Sequence, residues 1–224
     1  MAATEFSTRQ RILEAAEPLF AKRGFSGVSM RSIADAAGVL LGVLPYHFGT
    51  KEALYRSIWE QWQETIEIHA LLREAQSKED GSLESRLRAI IEAFFAGPRS
   101  LLRDPRGHHF VAIMVREAND PTNSKRTLLE DFIYPNGNAL RRELALLFPD
   151  IPDDVQDVAF EMMVSALRIV IERKPKSGSD VIEPEAANKL FALLTDFVAQ
   201  GWLSLNNKAP PTRPSQKTRR NRSI

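Results

Sequence analysis

Cysteine is absent from the 224-residue chain. That excludes disulfides, thiolate metal sites, iron–sulfur clusters and cysteine nucleophiles, and it suits a reducing cytoplasm. Histidine occurs only four times. The adjacent pair His108-His109 would point to different faces of a helix, so it forms no metal pair by itself. No apolar run approaches the roughly 18 residues of a membrane span, so no membrane partner is expected. The opening residues MAATEFSTRQR lack the apolar segment of a secretory signal. There is no glycine-rich phosphate loop, zinc-ligand spacing or Gly-x-Ser-x-Gly elbow. The chain therefore reads as a non-enzyme with no metal and no cofactor.

What is present is helix. An apolar content of 43% with 26% charge is that of a water-soluble globular protein. Ile12, Ala16, Leu19 and Phe20 form one stripe, Leu54, Tyr55, Ile58, Trp59, Trp62 and Ile66 a second, and Leu87, Ile90, Ile91, Phe94 and Phe95 a third. Each repeats at i, i+3, i+4, i+7, and no segment alternates as a half-buried strand would. The fold class is all-α. Gly24 ends the first helix, and Pro18 inside it is expected to bend it or delay its start. Ser29 caps a short second helix, and Gly38 forms a tight turn. Thr50 opens a long helix over about 50–77. The next starts at Asp80-Gly81-Ser82 and stops at Gly97-Pro98, and others cover about 107–118, 123–148, 153–173 and 185–205. A Pro/Gly/Ser-rich link spans about 174–184.

Charge is uneven. Residues 206–224 carry six cations and no acid, more than the chain's net charge of +1, so the remainder is acidic overall. This basic, proline-containing tail is expected to be disordered in isolation. Residues 1–51 hold six basic and four acidic side chains. Basic ends are compatible with phosphate binding.

The most specific signal is SMRSIADAAGVLLGVLPYHFGTK, residues 29–51. Two short helices crossing over a tight turn need a small residue at the crossing, which Ala34 supplies. They need a residue tolerant of positive φ four positions later, which is Gly38, and apolar groups between them, which are Ile33, Ala37, Val39 and Leu44. An ordinary helical hairpin meets the same demands. The window also resembles the N-terminal domain of the TetR family of repressors, through ILEAAEPLFAKRGF (12–25), SMRSIADAAGV (29–39) and YHFGTKEAL (46–54). The resemblance implies a homodimer, a three-helix head that binds double-stranded operator DNA, and a helical body that senses a small molecule. It implies phosphate contacts at Ser29 and Arg31, further phosphate or sugar contacts at Tyr46 and His47, and backbone contacts at Thr50 and Lys51. His47 reads equally well as a residue packed inward.

The recognition helix departs from the family. Where members usually carry Ser or Thr, Lys or Pro, and a later Tyr, this chain has Leu40, Leu41, Gly42, Val43 and Pro45. None can hydrogen-bond to a base edge. Pro45 further predicts a short helix with proline in its first turn or at a distortion. Two readings stay open. Sequence is read through thymine methyls, Tyr46, backbone groups and DNA shape, or binding is weak and assisted by the tail.

The last two helices are apolar on more than one face. Val158, Met162, Met163, Ala166 and Ile169 belong to one, and Leu190, Leu193, Leu194, Phe197 and Trp202 to the other. One side must face the core, and a second copy of the chain is the economical cover for the other. Residues 116–144 resemble the ligand domain of one TetR subgroup. An apolar or amphipathic effector is expected between the fourth and eighth helices, with Trp59, Trp62, Phe94, Phe110, Met114, Phe132 and Met163 as lining candidates. Arg116 and Glu117 would pair internally or meet a polar ligand group. The expected organisation is a DNA-binding domain at 1–52, a ligand-binding and dimerisation domain at 53–205, and a tail at 206–224. The rival reading is a helical ligand-binding protein whose specific DNA binding is weak or lost.

Overall fold

The computed structural model describes residues 2–77, 81–172 and 183–208. Among the described residues there are ten α-helices and no strand. They are α1 (Ala2–Arg23), α2 (Met30–Ala37), α3 (Val43–Phe48), α4 (Lys51–Ile66), α5 (His69–Ser77), α6 (Leu83–Arg103), α7 (Gly107–Ala118), α8 (Tyr134–Leu147), α9 (Asp153–Ile171) and α10 (Pro184–Lys208). None is long and apolar enough to cross a membrane. The tail from residue 209 onward and most of the 174–184 link lie outside the described residues.

The stripes read from the sequence are the core. Ile12, Leu13, Ala16 and Phe20 of α1 are buried, as are Leu54, Tyr55, Ile58 and Trp59 of α4, and Leu87, Ile91 and Phe95 of α6. Each large apolar side chain removed from water contributes about 1.5–3 kcal/mol, so these stripes dominate the packing. Helix α1 packs on α2, α4 and α7, and α6 packs on α4, α5, α7, α8 and α10. Pro18 lies within α1 on an exposed side, and the helix continues through it.

Three expected boundaries are wrong, two for tertiary reasons and one for a local one. The long helix over 50–77 is two helices. α4 ends at Ile66, Glu67 is extended (φ −73, ψ 124), and α5 begins at His69. The carbonyl freed at Ile66 accepts a 3.0 Å hydrogen bond from buried Asn136 Nδ2. The Glu67 carboxylate accepts from the His69 amide at 2.7 Å. At the same place α6 comes so close that a Cβ on Gly97 would stand 2.7 Å from the Thr65 carbonyl oxygen. That approach explains Gly97, and Pro98 does not stop α6, which runs on to Arg103. Burial of Leu101 and Leu102 offsets the roughly 3 kcal/mol that an interior proline costs.

The helix expected over 123–148 also begins late. A 3-10 turn at Asn123–Lys125 and a π turn at Leu129–Ile133 precede α8. Pro135 has no amide to donate to Asp131, and the wider turn lies just ahead of it. The Tyr134 amide bonds to Leu129 instead.

Candidate nucleic-acid interface

Helices α2 and α3 are fixed by local chemistry. Ser29 adopts extended backbone (φ −107, ψ 153) and its Oγ accepts from the Ser32 amide at 3.1 Å. The Ser29 amide donates to Ser32 Oγ at 3.2 Å, closing a reciprocal capping box. Gly38 ends α2 in the left-handed region (φ 64, ψ 39), which favours glycine, and the Val39 amide returns to the Ala34 carbonyl at 3.1 Å. After this bend, Leu44 and Phe48 of α3 turn inward to join buried Ile33, Ala34 and Ala37. Pro45 is the third residue of α3, within the first turn, where a missing amide costs nothing. Its carbonyl accepts from the Gly49 amide at 2.8 Å.

With Leu44 and Phe48 inward, the opposite side of the bend is bare. Leu40 is 82% exposed and Tyr46 74%, and Leu41, Gly42 and Pro45 are exposed with them. Arg31 and Thr50 also face solvent, whereas His47 is half-buried beside the Tyr46 and Phe48 rings. Thr50 Oγ1 caps α4 by accepting from the Ala53 amide at 3.1 Å. A hydroxyl acting as a cap acceptor keeps a donor to offer. Lys51 has another occupation. Its Nζ donates to the Phe25 and Val28 carbonyls at 3.1 and 3.0 Å and stands 4.2 Å from the centre of the Phe25 ring. Two of its three N–H donors are therefore committed to the turn between α1 and α2.

Among the described residues, several side chains bind the head to the body. Glu17 of α1 is fully buried. It accepts from Arg106 Nη2 at 2.8 Å and Nε at 3.0 Å, from Trp62 Nε1 at 3.1 Å and from Gln61 Nε2 at 3.1 Å. Arg116 of α7 donates to the Ala21 and Lys22 carbonyls at 2.6 and 3.0 Å, a cation at the C-terminal end of α1. Glu117, 1% exposed, accepts from Arg126 Nε at 2.8 Å and from the Tyr55 phenol at 3.2 Å. Burial and the Glu117 carboxylate push the Tyr55 phenol above its ordinary pKa. The Arg126 guanidinium lies 4.6 Å from the Phe25 ring, on which Lys51 also rests. Arg116 and Glu117 are thus both engaged within the chain, though with different partners.

Of the expected effector contacts, four come together. The Trp59 ring lies 5.3 Å from Phe110 and 6.0 Å from Phe132, and Trp62 stacks on Phe110 at 5.7 Å. Met114 packs half-buried against the core, Met163 is buried on α9, and Phe94 touches Phe95. Trp59 Nε1 is buried with no partner in hydrogen-bond geometry, although its N–H approaches the Tyr55 phenol and opposes that group's upward shift. Two clefts are lined by other residues. One of about 410 Å³ lies between the start of α4 and residues 125–128, and one of about 290 Å³ lies among α8, α9 and α10. His108 Nε2 meets the Leu102 carbonyl at 2.8 Å.

The profile of bacterial regulatory proteins of the tetR family matches residues 12–58, and that of the tetracyclin repressor-like C-terminal domain matches residues 88–201, more than half the chain. The chain belongs to the TetR family. Among curated TetR-type relatives, the HTH-type transcriptional regulator AcrR of Shigella flexneri is 42% identical over 84 residues, 38% of each protein. The HTH-type transcriptional repressor KstR2 of Rhodococcus jostii is 46% identical over 50 residues, 22% of this chain and 24% of that one. The chain thus matches well under half the length of these relatives. Solved TetR-type structures share the fold over nearly the whole chain. The ketosteroid transcriptional regulator KstR2 of Mycobacterium tuberculosis superposes with a TM-score of 0.62 at 22% identity, covering 86% of this chain and 93% of that one. PfmR of Thermus thermophilus gives 0.57 at 22% identity, covering 85% and 97%.

Missing from the sequence reading were the partners of Glu17 and the role of Arg106. The one available signal was an acid, Glu17, spaced four residues from Leu13 and three from Phe20 on the apolar face of the first helix.

Proposed function

We propose that this TetR-family chain is a homodimeric transcriptional regulator of the cytoplasm that holds double-stranded operator DNA and releases it when a small apolar or amphipathic molecule binds the body. The observation that carries this reading is the bare outer side of residues 40–46, held outward by an α2–α3 pair whose inner side is buried. Ser29, Arg31 and Thr50 flank it with hydroxyl, guanidinium and helix N-terminal donors suited to phosphates, and Tyr46 and His47 follow. Lys51 serves chiefly as a brace, with one N–H to spare for a phosphate.

Dimerisation is supported by α9 and α10. Val158, Met162 and Ile169 of α9 and Leu193 and Phe197 of α10 are large, apolar and exposed. Patches of this kind mark interfaces, and two heads must be paired to meet successive major grooves about 34–36 Å apart. The effector site is assigned to the rings of Trp59, Trp62, Phe110 and Phe132. Trp62 is the direct connection to the head, because its indole N–H bonds to Glu17 while its ring stacks on Phe110. A ligand that separates those rings pulls on α1. It shifts the balance only by its difference in affinity for the two head placements.

The test is selection of bound fragments from genomic DNA with the purified full chain. Enrichment of a palindrome with half-sites one helical turn apart is the expected result. Uniform binding that collapses with salt would replace this reading with that of a helical ligand-binding protein lacking specific DNA recognition.

A further inference from the structure

The outer side of the recognition element has an unusual chemistry for something that reads bases. From Leu40 to Pro45 it offers isobutyl groups at Leu40 and Leu41, a bare Gly42 and the ring of Pro45, all exposed. Leu40 and Leu41 lie just ahead of α3, and their carbonyls accept from the Val43 and Leu44 amides at 2.9 and 3.3 Å. Those bonds fix the backbone from which both side chains project. Gly42 has an ordinary φ of −64, and a Cβ there would meet nothing within 4 Å. Its missing side chain is therefore demanded neither by backbone strain nor by packing within the chain. A surface so shaped admits close approach of another body.

In the major groove each base pair offers hydrogen-bonding groups, and thymine alone adds an apolar group, its C5 methyl. Leu40, Leu41 and Pro45 cannot donate to guanine or accept from cytosine. A guanine–cytosine pair placed under them would keep its polar edge dehydrated and unpaired, which is penalised. We infer that Leu40 and Leu41 select operator half-sites by packing on thymine methyl groups, and that they discriminate against guanine–cytosine pairs at those steps by leaving them unsatisfied. Phosphate contacts from Ser29, Arg31 and Thr50 supply the remainder of the affinity and carry no sequence information. This inference rests on the proposed operator-binding role of the head.

The experiment replaces thymine by deoxyuridine, which removes the methyl and leaves every hydrogen-bonding group and phosphate in place. The full chain is titrated against a selected operator and against the same duplex with deoxyuridine at each thymine of the half-site in turn. At the steps under Leu40 and Leu41, affinity falls about fourfold per methyl lost. For two methyls in each of two half-sites, the combined loss is roughly 250-fold. The salt dependence stays unchanged because no phosphate contact is altered. With Leu40→Ala, whose side chain is exposed and makes no core contact, the deoxyuridine penalty at its step shrinks to near unity. Tight, selective binding that ignores deoxyuridine overturns the methyl reading and leaves the operator-binding role standing. Failure to select any sequence overturns both.

Discussion

Replacing Arg106 by methionine should destabilise the protein by about 3 kcal/mol. Glu17 is fully buried, and Arg106 supplies two of its hydrogen bonds, at 2.8 and 3.0 Å, together with the opposite charge. Methionine keeps an apolar stem near Trp62, whose ring centre lies 5.9 Å from the guanidinium carbon, but removes that partner. Breaking a buried pair from one side costs about 3–5 kcal/mol. The lower end applies because the Arg106 side chain is 35% exposed, so water reaches the gap. The Trp62 and Gln61 donors remain. In urea, with a slope of about 2 kcal/mol per molar, the unfolding midpoint moves down by about 1.5 M. Tryptophan fluorescence follows the transition, at fixed protein concentration because the proposed dimerisation would couple to folding. The double variant Glu17→Gln/Arg106→Met should regain at least half of the loss, since glutamine accepts the Trp62 hydrogen bond without needing a cation. A single variant within about 0.5 kcal/mol of the parent, or a double variant no more stable than Arg106→Met, would refute the reasoning.

Asn136→Ala removes the donor that satisfies the Ile66 carbonyl at the break between α4 and α5, and urea unfolding should show a loss of about 1–3 kcal/mol. Phe197→Glu places a charge on an exposed apolar face of α10, so light scattering should give the mass of one chain while circular dichroism keeps its helical signal. The Arg56 guanidinium, aided by the Thr127 hydroxyl, holds the Asp131 carboxyl below the usual carboxylate range. A depressed folded-state pKa contributes stability that is complete above the unfolded value, about 3.9, and is lost as pH falls through the lower folded value. Asp131→Asn should therefore flatten the pH dependence of stability below about pH 4 and leave its shape near pH 7 unchanged.

The head was legible because its determinants are local. The Ser29 capping box, the left-handed Gly38 and the inward Ile33, Ala37 and Leu44 lie within a few residues of one another, and each has a recognisable chemical requirement. The body was legible in period but not in punctuation. The 50–77 pattern keeps its apolar repeat through the break, and the partner that ends α4, Asn136, is seventy positions away. Gly97-Pro98 reads as a stop, yet it is where two backbones touch. Among the ring residues, Trp59, Trp62, Phe110 and Phe132 converge because α4, α7 and the π turn meet there. Their periodicity announced burial and could not announce which rings would face each other. The brace role of Lys51 was hidden for a related reason, since its partners are carbonyls of Phe25 and Val28, and carbonyls have no sequence signature.

The interruption after Ile66 has a mechanical consequence. An unbroken rod from Lys51 to Ser77 would drag the α5 contacts with every tilt at its upper end. The extended Glu67 interrupts the rod, so under the proposed switch a tilt of α4 need not be passed along one helix axis to α5, which packs on α6. Because Lys51 fastens the start of α4 to the α1–α2 turn, such a tilt would be passed straight to the head, and in the proposed homodimer it would alter the spacing of the two wedges.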